Sequence, residues 1–285
     1  MKECLFVSDL HGGVDRYELL FKVMEDVQPS AVFLGGDLLP SSLLLGPPGG
    51  TKDFLSGFLA PRFRAIKKRL GRHYPSIFAI LGNDDARLQE TACQALADQG
   101  LWNYIQGRRV DLRGYQVYGY AYVPPTPFRL KDWERYDVSR YVPHGCVSPE
   151  EGSRSVEVVA NIIKYSTIKD DIAQLTDDDS MTDAVFLFHA PPYQTALDRA
   201  ALDGKTIEGV PLDLHVGSIA VRRFIESRQP LLTLHGHIHE SARLTGMWKD
   251  RIGRTHMFTA AHDGPELAIV RFDLDNLDSA QRDLL

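Results

Sequence analysis

Cys4-Leu5-Phe6-Val7-Ser8-Asp9-Leu10-His11-Gly12-Gly13 opens the chain with an apolar run that ends in an acid, an imidazole and two glycines. Cys4 to Ser8 is an apolar run without alternation, as expected of a strand buried on both faces. It stops at Asp9-Leu10-His11, and the paired glycines mark a turn. Residues 15–27 follow with Tyr17, Leu20, Phe21 and Met24 at helical spacing, and Pro29 ends them. Ala31-Val32-Phe33-Leu34 is a second apolar strand, closed by Gly35-Gly36-Asp37. A strand, a helix and a strand make a βαβ unit, and with it a parallel sheet.

The same punctuation recurs along the chain. Ile77–Leu81 runs into Gly82-Asn83-Asp84-Asp85, Ala184–Phe188 into His189-Ala190-Pro191-Pro192, and Leu231–Leu234 into His235-Gly236-His237-Ile238-His239. Helices are expected over 54–70 (started or kinked near Pro61), 86–98, 166–176 (capped by Ser166 or Thr167) and 218–227. A hairpin over 109–112 and 115–120, strands near 256–260 and 267–272, and a loop over 40–51 complete the reading. Residues 123–155 combine frequent Pro and Gly with Phe128, Trp133, Tyr136 and Tyr141, which favours an ordered cover over disorder. No repeat or linker interrupts the chain. The organisation expected is one α/β domain over 1–285 with a cover insertion at about 123–180.

With 32 basic and 38 acidic residues in 285, the formal net charge is −6, which argues against nucleic-acid binding through a broad basic surface. It does not exclude a small anionic substrate in a locally charged cleft. Three scattered cysteines, Cys4, Cys93 and Cys146, cannot form a disulfide framework and fit a reducing cytoplasm. No secretory signal is read at the N-terminus, and no apolar run approaches the roughly 20 residues of a membrane span.

Chemistry concentrates at the strand ends. Ligands of parallel α/β sheets bind beyond the carboxyl ends of the strands. Five ends deliver Asp9, His11, Asp37, Asn83, His189, His237 and His239 to one rim. Carboxylate oxygens, imidazole nitrogens and one amide oxygen suit Mn, Fe or Zn better than an all-oxygen Mg or Ca cage. One Asp-x-His alone carries little weight; seven such groups at five strand ends carry the argument.

Asp9-Leu10-His11, Gly36-Asp37, Gly82-Asn83-Asp84-Asp85, His189 and Gly236-His237-Ile238-His239, in that order, resemble the calcineurin-like metallophosphoesterase family. The resemblance spans almost the whole chain apart from about 123–180. It implies a layered sheet sandwich flanked by helices and a dinuclear centre of two divalent transition-metal ions. One ion would be held by Asp9, His11, Asp37 and His239, and the other by Asp37, Asn83, His189 and His237, with Asp37 bridging. His11 and Asp37 are thereby implied in catalysis. The reaction implied is hydrolysis of a small phosphate ester by a metal-bridging hydroxide. Phosphodiester hydrolysis is preferred to phosphomonoester hydrolysis. The rivals are a metal-binding scaffold without turnover, and a nuclease using a local groove.

Asp84 departs from the resemblance, since many relatives have His there. An ordinary ionised Asp donates no proton and repels an anion. Three readings stay open: a structural cap, which is preferred, a protonated catalytic acid, or a preference for leaving groups that need little protonation. His235 and His262 are candidates for supporting the rim or for plain packing. Tyr193, after Pro191-Pro192, is a candidate for substrate contact or a loop anchor. Trp133, Tyr136 and Phe128 shape a pocket, pin the cover or make a subunit contact. Arg222-Arg223 and Lys67-Lys68-Arg69 read as solvated faces.

Overall fold

The computed structural model describes residues 3–41 and 54–285, so residues 42–51 of the expected loop lie outside the described residues. In chain order the strands are β1 Cys4–Val7, β2 Ala31–Gly35, β3 Ser76–Ile80, β4 Asn103–Tyr104, β5 Arg108–Leu112, β6 Tyr115–Tyr120, β7 Ala184–Phe188, β8 Thr206–Ile207, β9 Val210–Pro211, β10 Leu232–His235, β11 Lys249–Ile252, β12 Thr255–Thr259, β13 Ala268–Asp273 and β14 Asn276–Leu284. The α-helices are α1 Val14–Val27, α2 Ala60–Leu70, α3 Glu90–Asp98, α4 Ala160–Tyr165, α5 Ile168–Thr176, α6 Ile219–Arg228 and α7 Ser241–Thr245.

Two six-stranded sheets form the body, ordered β14-β13-β1-β2-β3-β4 and β11-β12-β10-β7-β6-β5. Each is parallel at its centre. Antiparallel partners β13 and β14 flank the first, while β5 and β11 edge the second. The apolar runs are strands because the sheets bury them on both faces: β1, β2 and β7 are wholly buried. Between the layers, Phe258 meets Phe272 (ring centroids 5.9 Å), Phe272 meets Phe33 (5.8 Å), and Phe33 stacks on Phe78 (5.3 Å). Each of these rings is at most 3% exposed, and burial of each contributes about 1.5–3 kcal/mol. Phe186 and Phe188, two residues apart and so on one face of β7, both meet Phe224 of α6. On the first sheet, α1 and α2 pack through Phe21 and Phe63 (5.2 Å). Pro61 lies in the first turn of α2, as its sequence position implied.

β14 has no counterpart in the sequence reading. Only Leu277 and Ala280 of its nine residues are buried, so its sequence carries no strand period; pairing with β13 makes it a strand. The 123–180 segment is held by buried Trp133, Ile168 and Ile172 and by polar anchors. Asp132 accepts from the Arg87 amide (2.7 Å), and the Ser155 hydroxyl from the Leu88 amide (2.9 Å). Asp137 accepts from the Ile219 and Ala220 amides and the Ser218 hydroxyl, covering the start of α6. Inside the segment Lys131 and Glu134 form a fully buried ion pair, and Thr126 gives Glu134 its amide and hydroxyl. Thr167 caps α5, taking the amide of Asp170.

Candidate metal centre

Sheet register assembles the rim. Pairing Phe6 with Phe33 and Val7 with Leu34 brings the turn after β1 against the turn after β2. The Asp9 amide then donates to Gly36 O (2.9 Å), that of His11 to Asp37 O (2.8 Å), and that of Gly12 to Leu38 O (3.0 Å). In the second sheet the Gly236 amide donates to His189 O (2.9 Å), setting the turn after β10 beside the end of β7.

Asp9, His11, Asp37 and His237 all have left-handed backbone, with φ of 56°, 45°, 51° and 73°. This conformation costs a non-glycine residue about 1–2 kcal/mol. Strain of this kind collects where the surrounding structure over-determines a site. Gly36 (φ 94°) and Gly82 give the backbone its close passage. A Cβ on Gly36 would stand 2.6 Å from His189 Nδ1, and one on Gly82 would overlap Asp37 Oδ1 and stand 2.7 Å from His189 Cε1.

Asp9, His11, Asp37 and His239 each offer one donor atom, and these atoms all lie within 4.8 Å of one another. His11 Nε2 is 3.2 Å from His239 Nε2 and 3.7 Å from Asp37 Oδ2, while His239 Nε2 is 3.3 Å from Asp9 Oδ1. On the other side of Asp37, its Oδ2 is 3.4 Å from His189 Nε2, which is 3.0 Å from Asn83 Oδ1. The His189 and His237 rings are 5.3 Å apart. Asp37 Oδ2 therefore stands between two imidazoles that belong to the two expected ligand sets.

The acids and imidazoles of the cluster set one another's charge. Burial alone would raise the Asp9 carboxyl, but His239 and its fellow imidazoles hold it well below the usual carboxylate range. Asp37 is lowered likewise, against burial, chiefly by His189. Burial opposes charge on His11 and His189, yet Asp84 and Asp37 bring His11 up to about 9, and Asp37 brings His189 to about 9. Burial, with His189 adding repulsion, takes His237 down to about 3.

A calcineurin-like phosphoesterase family model matches residues 4–241, most of the chain and every rim residue. The chain belongs to the calcineurin-like phosphoesterase family. Among the curated proteins nothing matches. One solved structure aligns over 99% of this phosphoesterase and 98% of its own chain, with 16% identity and a TM-score of 0.61. TT1561 of Thermus thermophilus aligns over 99% and 98%, with 18% identity and a TM-score of 0.52. At these identities they share the fold. A novel archaeal phosphodiesterase aligns over 99% of each chain at 11% identity and a TM-score of 0.47, too distant a likeness to bear on activity. Family and His/Asp cluster together make the phosphoesterase a divalent-metal-binding protein. No helix among the described residues is long and apolar enough to cross a membrane.

Asp84 does not cap a helix. Its Oδ2 is 3.3 Å from His11 Nδ1, its Oδ1 accepts from the Ser41 hydroxyl (3.0 Å), and its amide donates to Asp37 Oδ1 (2.8 Å). The helical segment after it starts under the Asp132 and Ser155 caps instead, because the 123–180 segment folds back over it. The structural work falls to Asp85. Fully buried, it accepts the amides of Leu38 (3.0 Å), Leu39 (2.8 Å) and Gly82 (2.9 Å), locking the β2 and β3 turns together. Burial and the Asp37 charge push its carboxyl up to about 7.

Arg16 also escaped the sequence reading. It donates from Nη1 to Asp9 O (3.0 Å) and from Nη2 to Gly264 O (2.5 Å), pinning the strained turn to the chain before β13. Nothing in its local sequence signals those partners, which are carbonyls. The polar atoms of the three remaining candidates are engaged elsewhere. The His235 ring nitrogens face Ala190 O and Thr233 Oγ1, and its ring stacks on Phe188. His262 pairs with Glu266 (2.9 Å), and the Tyr193 hydroxyl donates to Asp213 (2.5 Å). A cavity of about 720 Å³ opens against β5, β6 and α5, lined by Arg87, Gln106, Arg109, Tyr120, Tyr122 and Arg135 among others. None of the rim donors lines it.

Proposed function

We propose that this phosphoesterase hydrolyses small phosphate esters with two divalent transition-metal ions (Mn, Fe or Zn), and that diesters are its preferred class. The observation that carries the reading is the position of Asp37 Oδ2, 3.7 Å from His11 Nε2 and 3.4 Å from His189 Nε2. Asp9, His11, Asp37 and His239 hold one ion, and Asp37, Asn83, His189 and His237 the other. Ions bound there supply a Lewis acid for phosphoryl oxygens and make water acidic enough to react near neutral pH.

The protein's own groups prepare that site. The Ser8 hydroxyl donates to Asp9 Oδ2 (2.5 Å) and the His237 amide to Asp9 Oδ1 (3.0 Å), which fixes the carboxylate plane. His189 gives its Nδ1 proton to Gly35 O (2.8 Å), which turns Nε2 to Asn83 and Asp37 as the nitrogen that would bind an ion. The Asp84 carboxylate stands at the cluster's edge with its side chain 24% exposed. A fixed negative charge there repels a phosphomonoester dianion more than a diester monoanion, which favours diesters. The chain acts in one piece, as a single domain, with the 123–180 segment narrowing access; the bonds from the Arg87 amide to Asp132 and from the Ser218 hydroxyl to Asp137 support this reading.

Metal analysis of protein purified without chelator, beside turnover of an aryl phosphodiester and an aryl phosphomonoester with Mn²⁺, tests the reading. Asp37→Ala is expected to lose both ions and all turnover, while His239→Ala loses mainly one ion. Equal metal retention in the two variants would remove the bridge. Faster turnover of the monoester would transfer the assignment to phosphomonoesterase.

A further inference from the structure

We infer that Asp84 is a positioning residue, a carboxylate that holds the His11 ring with Nδ1 outward and Nε2 toward Asp37 and His239. The inference rests on the metal-centre reading above and deepens it. His11 has two ring nitrogens, and the structure gives each a different neighbourhood. Nε2 faces the donor cluster, 3.2 Å from His239 Nε2 and 3.7 Å from Asp37 Oδ2. Nδ1 faces away from it, 3.3 Å from Asp84 Oδ2. An ion bound at Nε2 takes the place of the proton there; a carboxylate on the opposite nitrogen keeps Nδ1 protonated and fixes the ring plane.

Asp84 is itself immobilised for this role. Its Oδ1 takes the Ser41 hydroxyl, and its amide holds Asp37 Oδ1, so one residue orients both His11 and Asp37. The amide contact belongs to the backbone and survives replacement of the side chain by Ala, Asn or Ser. Substitution at 84 therefore removes the hold on His11 and leaves Asp37 in place. His11 needs such a hold more than His189 does. Its backbone is left-handed and its side chain 26% exposed, whereas His189 is fully buried and tied to Gly35 O.

Zn²⁺ affinity of the full chain, measured by competition with a chromophoric chelator, and the His11 ring signals of the Zn²⁺-loaded protein by ¹⁵N NMR test the inference together. Asp84→Ala is expected to weaken one of the two Zn²⁺ ions by about 10–100-fold and to let the His11 Nδ1 proton exchange rapidly with water. Asp84→Asn retains an oxygen that accepts from Nδ1, and is expected to stay within about tenfold of wild type with a sharp Nδ1–H signal. Recovery by the neutral Asn separates orientation from simple charge attraction. If the Ala chain does not fold, Asp84→Ser, too short to reach Nδ1, is expected to behave as described for Ala. Wild-type affinity with a protected Nδ1 proton in the Ala or Ser variant would overturn the inference while leaving the metal centre standing. A wild-type chain that binds no Zn²⁺ would overturn both.

Discussion

Gly82→Ala adds one methyl group at the point where the β2 and β3 turns meet, and its effect follows from the neighbours that methyl finds. An ideal Cβ there overlaps Asp37 Oδ1 and the Asp37 backbone nitrogen and lies 2.7 Å from His189 Cε1. None of the three is the free end of a flexible chain. Asp37 Oδ1 is held by the Asp84 amide at 2.8 Å, and the His189 ring by Gly35 O at 2.8 Å. Gly82 does not have left-handed backbone, so Ala meets no conformational penalty and even gains about 0.4–1 kcal/mol from a less flexible unfolded chain. Overpacking a rigid site costs about 1–3 kcal/mol, leaving a net loss of roughly 0–2.6 kcal/mol. The larger consequence is displacement of Asp37, the carboxylate between the two imidazole pairs, so metal content should fall with stability. Urea unfolding with Mn²⁺ content measured on the same samples is the assay. Gly107→Ala is the comparison: its Cβ meets nothing within 4 Å and its φ is 64°, so it should lose about 1–2 kcal/mol and no metal. Full metal content in Gly82→Ala would refute the argument that steric exclusion at this glycine sets the geometry of Asp37.

Lys131 and Glu134 are both fully buried and bonded to each other, so Lys131→Met alone should destabilise by about 3–5 kcal/mol, whereas Met with Glu134→Leu should recover most of the loss. A single-variant loss below about 1 kcal/mol in denaturant titrations would deny that the pair is buried. Burial, opposed by Lys131, pushes the Glu134 carboxyl up to about 7. The folded chain then holds a proton that the unfolded chain has released above 4.5, so this residue's contribution falls as pH rises from about 4.5 to 7, by at most about 1.4 kcal/mol per unit. Glu134→Gln should flatten that slope, and an unchanged slope in urea titrations across this window would count against it. Asp137→Ala uncovers two amides at the start of α6 and the Ser218 hydroxyl, and should lower stability by about 1–3 kcal/mol with faster hydrogen exchange at Ile219 and Ala220. Exchange unchanged at those amides would show another group satisfying them.

The strand core, the βαβ opening and the residue types at the rim can be read from the chain, because each is a local pattern. An apolar run without alternation needs burial on both faces, a helical spacing needs one packed face, and glycines beside acids and imidazoles mark turns that must pass close to a site. Tertiary structure alone decided which groups support that rim. Asp84 and Asp85 are neighbours of one type, yet one turns to His11 and the other to three amides, since the turn's geometry sends successive side chains to different partners. Arg16 reaches Gly264 and β14 pairs with β13 through backbone groups that carry no side-chain signature, so no reading of residue types could find them. The 123–180 segment shows the same division. Its aromatics announced order, while the Asp132 and Asp137 contacts that secure it exist only where distant helix starts expose unpaired amides.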